Sequence, residues 1–137
     1  MTYADRQALE DRFGSDEIDE LGSARTAPAL ADADAEIDAA LAAAYDLPLA
    51  AGTYPALRAI ACDLARLRLY DDAVPAEAVL GRATRSRARL REIADGRSAL
   101  VDSAGDLVAR RIETGPPLGA RQSAPKARLT REKLKDY

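Results

Sequence analysis

The sequence has no histidine, no tryptophan and only one cysteine among its 137 residues. Without histidine it lacks the commonest general base and zinc ligand, which excludes a Ser-His-Asp triad, a Cys–His dyad and a zinc site. The lone Cys62 excludes an internal disulfide bond. We therefore expect no cofactor, no metal and no enzymatic activity. The pairs that an enzyme could use, Asp32 with Glu36 and Asp63 with Arg66, have the spacing of ordinary helix-surface pairs.

Long apolar runs are also missing. None approaches the roughly 20 residues that a membrane-spanning helix needs, and the first residues lack the basic and apolar parts of a secretory signal. Large apolar side chains are scarce, since 17 Leu, 5 Ile, 4 Val and 1 Phe stand beside 31 Ala. We expect no membrane association, and a thin helical core that gains stability from a partner.

Charge is divided unevenly along the chain, although the net charge is only −3. Residues 1–72 carry 15 acidic and 6 basic side chains, whereas residues 73–137 carry 8 acidic and 14 basic ones. Such a chain can bind copies of itself head to tail, in a ring or a stack. It can equally pair the two charges within one fold, and the sequence leaves both possibilities open.

Hydrophobic periodicity predicts an all-α fold, a small bundle of about four main helices over residues 1–96. Thr2 followed by Asp5 resembles a capping box in front of the first helix. The third main helix, at about residues 55–72, is apolar around most of its circumference, so we expect it at the centre of the core. The predicted helices cover about residues 3–13, 28–45, 55–72 and 75–94, with a short helix at 16–21.

The second helix carries an alternating acidic run at Asp32, Asp34, Glu36 and Asp38. An EF-hand loop would require glycine and glutamate where Ile37 and Ala43 stand, so this interpretation fails. A solvated acidic helix face is expected instead.

Arginines follow two flanks of the fourth helix. Arg82, Arg85 and Arg89 share one flank, and Arg87 and Arg91 share the other. The pattern fits a solvated or salt-bridged face, or a strip that binds phosphate or a protein partner. One candidate function is therefore a small nucleic-acid-binding helical module, against which stand the pI of about 5.0 and the few aromatic residues.

Beyond residue 96 the helical pattern stops. Residues 97–114 predict a short β-hairpin or an extended insertion, and residues 115–137 predict an extended C-terminal arm that is loose by itself. We hypothesise that the arm orders on assembly and docks into a groove of another molecule; the alternative is a disordered tail. Its proposed contact residues are Leu129, Arg131, Leu134 and Tyr137.

Three distinctive motifs lie in the first 95 residues. They are the run Ala-Asp-Ala-Asp-Ala-Glu-Ile-Asp at 31–38, the residues Leu41, Tyr45 and Leu-Pro-Leu at 47–49, and the pattern Leu-x-x-Ile-Ala-Cys-Asp-x-Ala-Arg-x-x-Leu-Tyr at 57–70. In combination these motifs resemble the Mu-like phage and prophage neck proteins. The opening residues Tyr3 to Gly14 are also similar to the start of that family.

The resemblance implies a virion structural protein: a head-completion or neck adaptor that forms a ring between the portal and the tail of a tailed phage or phage-like particle. It implies as partners the portal protein, neighbouring copies in a ring of about twelve, a tail-side neck or tail-terminator protein, and packaged DNA passing through the lumen. The protein would be made in the host bacterial cytoplasm and reside in the virion neck. We expect Arg82, Arg85 and Arg89 to contact an acid of the portal or of a neighbouring subunit.

Overall fold

The computed structural model describes residues 1–70 and 74–111, and within these ranges the regular structure is helical. Five α-helices are present there, and a single 3₁₀ turn at Ser23–Arg25 joins the second to the third. The prediction of an all-α fold is confirmed. In chain order the helices are α1 (Arg6–Phe13), α2 (Ser15–Gly22), α3 (Thr26–Leu41), α4 (Pro55–Leu69) and α5 (Glu77–Ala94).

Helix starts follow local chemistry, with corrections. Helix α3 begins at Thr26 rather than near Pro28, and α5 begins at Glu77 rather than at Pro75. Pro55 occupies the first turn of α4, as predicted, where a missing N–H costs nothing. At α1 the predicted Thr2 cap is wrong, because Asp5 is itself the N-cap and its carboxylate accepts from the Ala8 N–H at 2.8 Å. Tyr3 precedes the helix and is buried, and its N–H donates to the Asp34 carboxylate.

Helix α4 forms the centre of the core, as its apolar circumference predicted. It packs against α3 and α5, and α1 covers another part of it. Cys62 is only 1% exposed on this helix, and burial raises the pKa of its thiol to about 11. The buried residues of α4 are Leu57, Ile60, Ala61, Cys62, Asp63, Leu64, Ala65 and Leu69.

The expected solvated face of α3 is only partly solvated. Asp34 is buried, and it accepts a hydrogen bond from the Tyr3 N–H at 3.0 Å. Burial raises the pKa of Asp34, and the Tyr3 N–H opposes that rise. The prediction was wrong at this position because the N-terminal segment folds over α3, a long-range contact that helical periodicity does not report.

Helix α5 buries a narrower face than predicted. Val79, Ala83, Leu90 and Ile93 are buried as expected, but Leu80 is 45% exposed. None of the helices that the structure describes is both long and apolar enough to cross a membrane.

The segment after α5 returns to the helical body. Gly96 adopts a φ of +80°, which lets the chain leave the helix, and the Arg110 guanidinium donates to the Ala94 carbonyl at 2.6 Å. The Arg111 N–H donates to the Ala44 carbonyl at 2.7 Å. The ends of α5 and α3 are therefore joined through this segment.

The predicted hairpin is present in reduced form within that segment. Val101 and Leu107 form one antiparallel bridge, and the Val108 N–H donates to the Leu100 carbonyl. Asp102 closes the turn by accepting from two backbone N–H groups, and no longer strand follows among the described residues. The predicted arm contacts Leu129, Arg131, Leu134 and Tyr137 lie outside the described residues.

Candidate functional site

On one flank of α5, Arg87 is paired with a carboxylate inside the subunit. The Arg87 Nε donates to Glu36 at 2.6 Å, and the Arg68 Nη2 donates to the other oxygen of the same carboxylate at 2.9 Å. The hydrogen bond from Arg87, followed by that from Arg68, lowers the pKa of Glu36 below its ordinary value. Arg87 is therefore salt-bridged, as one interpretation of the sequence allowed. Arg91 on the same flank is exposed, and among the described residues its Nε donates to the Arg87 carbonyl rather than to a carboxylate.

The opposite flank is different. Arg82, Arg85 and Arg89, which we call the arginine row, are all exposed. Within the described part of the chain, no carboxylate lies within 4 Å of their guanidinium nitrogens. The three predicted residues line one cleft of about 200 Å³ together with Arg12 from α1. The sequence therefore grouped these three residues correctly.

A buried carboxylate forms part of the wall of this cleft. Asp63 on α4 is 6% exposed; its Oδ2 accepts from the Ser86 hydroxyl at 2.6 Å and its Oδ1 from the Arg12 Nε at 3.3 Å. These two donors satisfy Asp63, so it does not neutralise the arginine row. The suggested pairing of Asp63 with Arg66 is wrong, because Arg66 turns to Glu17 at 2.7 Å.

Phe13 holds one end of the arginine row. The guanidinium carbon of Arg66 lies 4.2 Å from the centroid of the Phe13 ring, and those of Arg12 and Arg82 each lie 5.8 Å from it. Cation–π attraction of this kind contributes about 0.5–1 kcal/mol at exposed sites. Arg82 is therefore partly committed within the subunit, whereas Arg85 and Arg89 have no equivalent ring contact among the described residues.

A comparison with protein families identifies the chain's relatives. The profile of the family described as "Bacteriophage Mu, Gp36" matches residues 3–114. The chain belongs to the bacteriophage Mu Gp36 family. The resemblance to Mu-like phage proteins is thereby confirmed, and this Gp36-family chain is a phage protein. A comparison with curated proteins gives no match.

The matched region of this Gp36-family protein includes all five helices and the whole arginine row. The four proposed arm residues lie beyond it. The cleft itself has four arginines around one already bonded carboxylate, so it has a surplus of positive charge. Such a site suits an anion, either a carboxylate or a phosphate. Among the described residues, no group of three or more acidic, cysteine or histidine side chains is placed to hold a metal.

Sequence reasoning missed three members of this site: Arg12, Phe13 and Ser86. Arg12 lies 51 positions from Asp63, and Ser86 lies 23 positions from it. Only the tertiary fold brings them together. One local signal was present, since Ser86 falls on the buried arc of α5, where a polar side chain needs a partner.

Proposed function

We propose that this protein is a virion structural protein, a head-completion or neck adaptor that forms a ring between the portal and the tail. It acts as a binding partner with no catalytic role. The proposal goes beyond family membership, and it rests on the resemblance to neck proteins together with the surface that the fold leaves unpaired.

The observation that carries the proposal is the contrast on α5 between Arg87 and the arginine row. Arg87 is bound to Glu36 inside the subunit, while Arg85 and Arg89 meet no described carboxylate. An adaptor needs a surface whose counter-charges are supplied by another molecule. A row of exposed arginines along a rigid helix meets that need, because arginine binds carboxylates with defined geometry.

In this proposal the partners are the portal protein, neighbouring copies in a ring of about twelve, and a tail-side neck or tail-terminator protein. Packaged DNA passes through the lumen of the ring. The C-terminal arm docks into an apolar groove of the portal or of a neighbouring subunit. Its contact residues are Leu129, Leu134 and Tyr137, with Arg131 at the acidic rim of the groove.

Mass measurement of the purified protein, with and without portal, tests the proposal. We expect a complex with the portal ring that contains many copies of the adaptor. Changing Arg82, Arg85 and Arg89 together to Glu should weaken assembly more than it lowers the melting temperature, because exposed charge changes cost little folding stability. A protein that stays monomeric and does not bind the portal would contradict the proposal.

Nucleic-acid binding through the arginine-rich helix is the competing function. The exposed arginine row favours it, because phosphates are as suitable as carboxylates for such a cleft. The sequestered Arg87 reduces the available charge. Binding of the isolated monomer to DNA, falling steeply with added salt, would support this competitor. Intact assembly of the triple variant, with lost DNA retention, would place the row on the lumenal side.

A further inference from the structure

Helix α2 carries two carboxylates that have no ion-pair partner among the described residues. α2 lies at the edge of the fold, where it packs against α1 and the 3₁₀ turn. Two of its acidic residues are paired internally, Glu17 with Arg66 and Asp19 with Arg6. Asp16 and Glu20 are both exposed, and no described arginine or lysine reaches either of them.

These two carboxylates and two members of the arginine row have the same spacing. Asp16 and Glu20 are four residues apart on α2, and Arg85 and Arg89 are four residues apart on α5. Residues at i and i+4 lie on one side of a helix, about 6 Å apart along its axis. When α5 of one copy lies beside α2 of another, both arginines can therefore face a carboxylate at the same time.

We propose that Arg85 and Arg89 of one copy bind Asp16 and Glu20 of a second copy, so that α5 of each subunit lies against α2 of its neighbour. This inference rests on the proposed ring-forming function and names the residues of the subunit contact. The two surfaces differ, so every copy offers one of each and the contact continues head to tail. A closed ring satisfies every such pair.

Charge favours a second copy over DNA as the occupant of the arginine row. The complementary carboxylates are supplied by the same chain at the matching spacing. The cleft of the row also contains one buried carboxylate, Asp63, whose charge disfavours a polyanion there. The whole chain carries a net charge of −3, which disfavours approach to a polyanion.

Charge-swap variants of the full chain test this contact. The basic-face variant carries Arg85→Glu and Arg89→Glu; the acidic-face variant carries Asp16→Arg and Glu20→Arg. Sedimentation velocity at low salt should show self-association of the unchanged protein, weakened at least about tenfold in either variant alone. An equimolar mixture of the two variants should associate again, because each then supplies the charge that the other lost.

The matched control carries Arg91→Glu and Arg97→Glu, which changes the net charge equally on α5 and just beyond it. It should associate like the unchanged protein. Neutral variants (Arg85→Gln with Arg89→Gln, and Asp16→Asn with Glu20→Gln) should weaken self-association too, by a smaller factor, because they remove the attraction without adding repulsion. They keep the test decisive if a charge-swap variant does not fold, as judged by circular dichroism.

Three outcomes would overturn the proposed contact: an unchanged protein that stays monomeric, variants that associate normally, or a mixture that does not recover. Loss of DNA binding in the basic-face variant, with self-association unchanged, would assign the arginine row to nucleic acid and also overturn it. The neck function is judged separately by portal binding. A protein that binds portal but fails the mixing test loses only this contact, and one that passes the mixing test but ignores portal loses only the neck function.

Discussion

Replacing Leu64 with aspartate should unfold the protein at neutral pH. Leu64 lies on α4, at the centre of the core, and is 0% exposed. Losing a buried leucine side chain costs about 2–5 kcal/mol. Burying the new side chain without a partner requires its protonation, which costs about 4 kcal/mol at pH 7 for an aspartic acid of ordinary pKa. The total of about 6–9 kcal/mol is comparable to the whole stability of a domain, about 5–15 kcal/mol.

The cost of protonation gives this prediction a pH signature. An aspartate with a raised pKa in the folded state destabilises the fold above its unfolded pKa, and the penalty shrinks as the pH falls toward that value. Leu64→Asp should therefore be far less stable than Leu64→Asn at pH 7, and nearly equal to it around pH 4. Thermal melts followed by far-ultraviolet circular dichroism measure both differences.

A surface control separates burial from the chemical change itself. Leu80→Asp makes the same substitution at a position that is 45% exposed, and it should lower the melting temperature only slightly. A native spectrum and melting temperature for Leu64→Asp at pH 7, or equal damage from Leu80→Asp, would refute a central buried position for Leu64.

Three further predictions concern ionisable groups and the arm. Glu36→Gln should cost about 1–2 kcal/mol at neutral pH by weakening the bonds from Arg87 and Arg68. Because the fold lowers the pKa of Glu36, this loss should disappear as the pH falls through that lowered value; urea titration across pH measures it. Asp34→Asn should raise the melting temperature at pH 7, since burial raises the pKa of Asp34, and the gain should vanish below the ordinary pKa of aspartate. Deleting residues 126–137 should leave the melting temperature nearly unchanged while lowering incorporation into particles; normal incorporation would show that the arm is not an attachment element.

The helices were predictable because their signals are local. Pro55 marked the start of α4, and the apolar circumference of α4 marked its central place. The shared flank of Arg82, Arg85 and Arg89 followed from helical spacing alone. Such features depend on residues within about one helical turn of each other, where the sequence and the geometry are directly related.

The ion pairs were not predictable, because they join residues that are far apart in the sequence. Spacing suggested Asp63 with Arg66, yet the fold pairs Asp63 with Arg12 and Ser86, which come from other helices. Asp34 belonged to an acidic run that looked solvated, but the backbone of Tyr3 covers it. A single sequence does not tell which exposed-looking carboxylate a distant segment will reach.

The buried thiol of Cys62 can be used to measure how often the core of the protein opens. With its pKa raised to about 11 and almost no exposed surface, Cys62 is protected twice from alkylating reagents at neutral pH. Cys62 lines a cleft between α1 and α4, so modification requires these two helices to move apart there, and the labelling rate measures how often this part of the core opens. A cysteine introduced on the surface would react selectively beside it. The same labelling rate, followed while a partner is added, would show whether assembly slows the opening of this alanine-rich core.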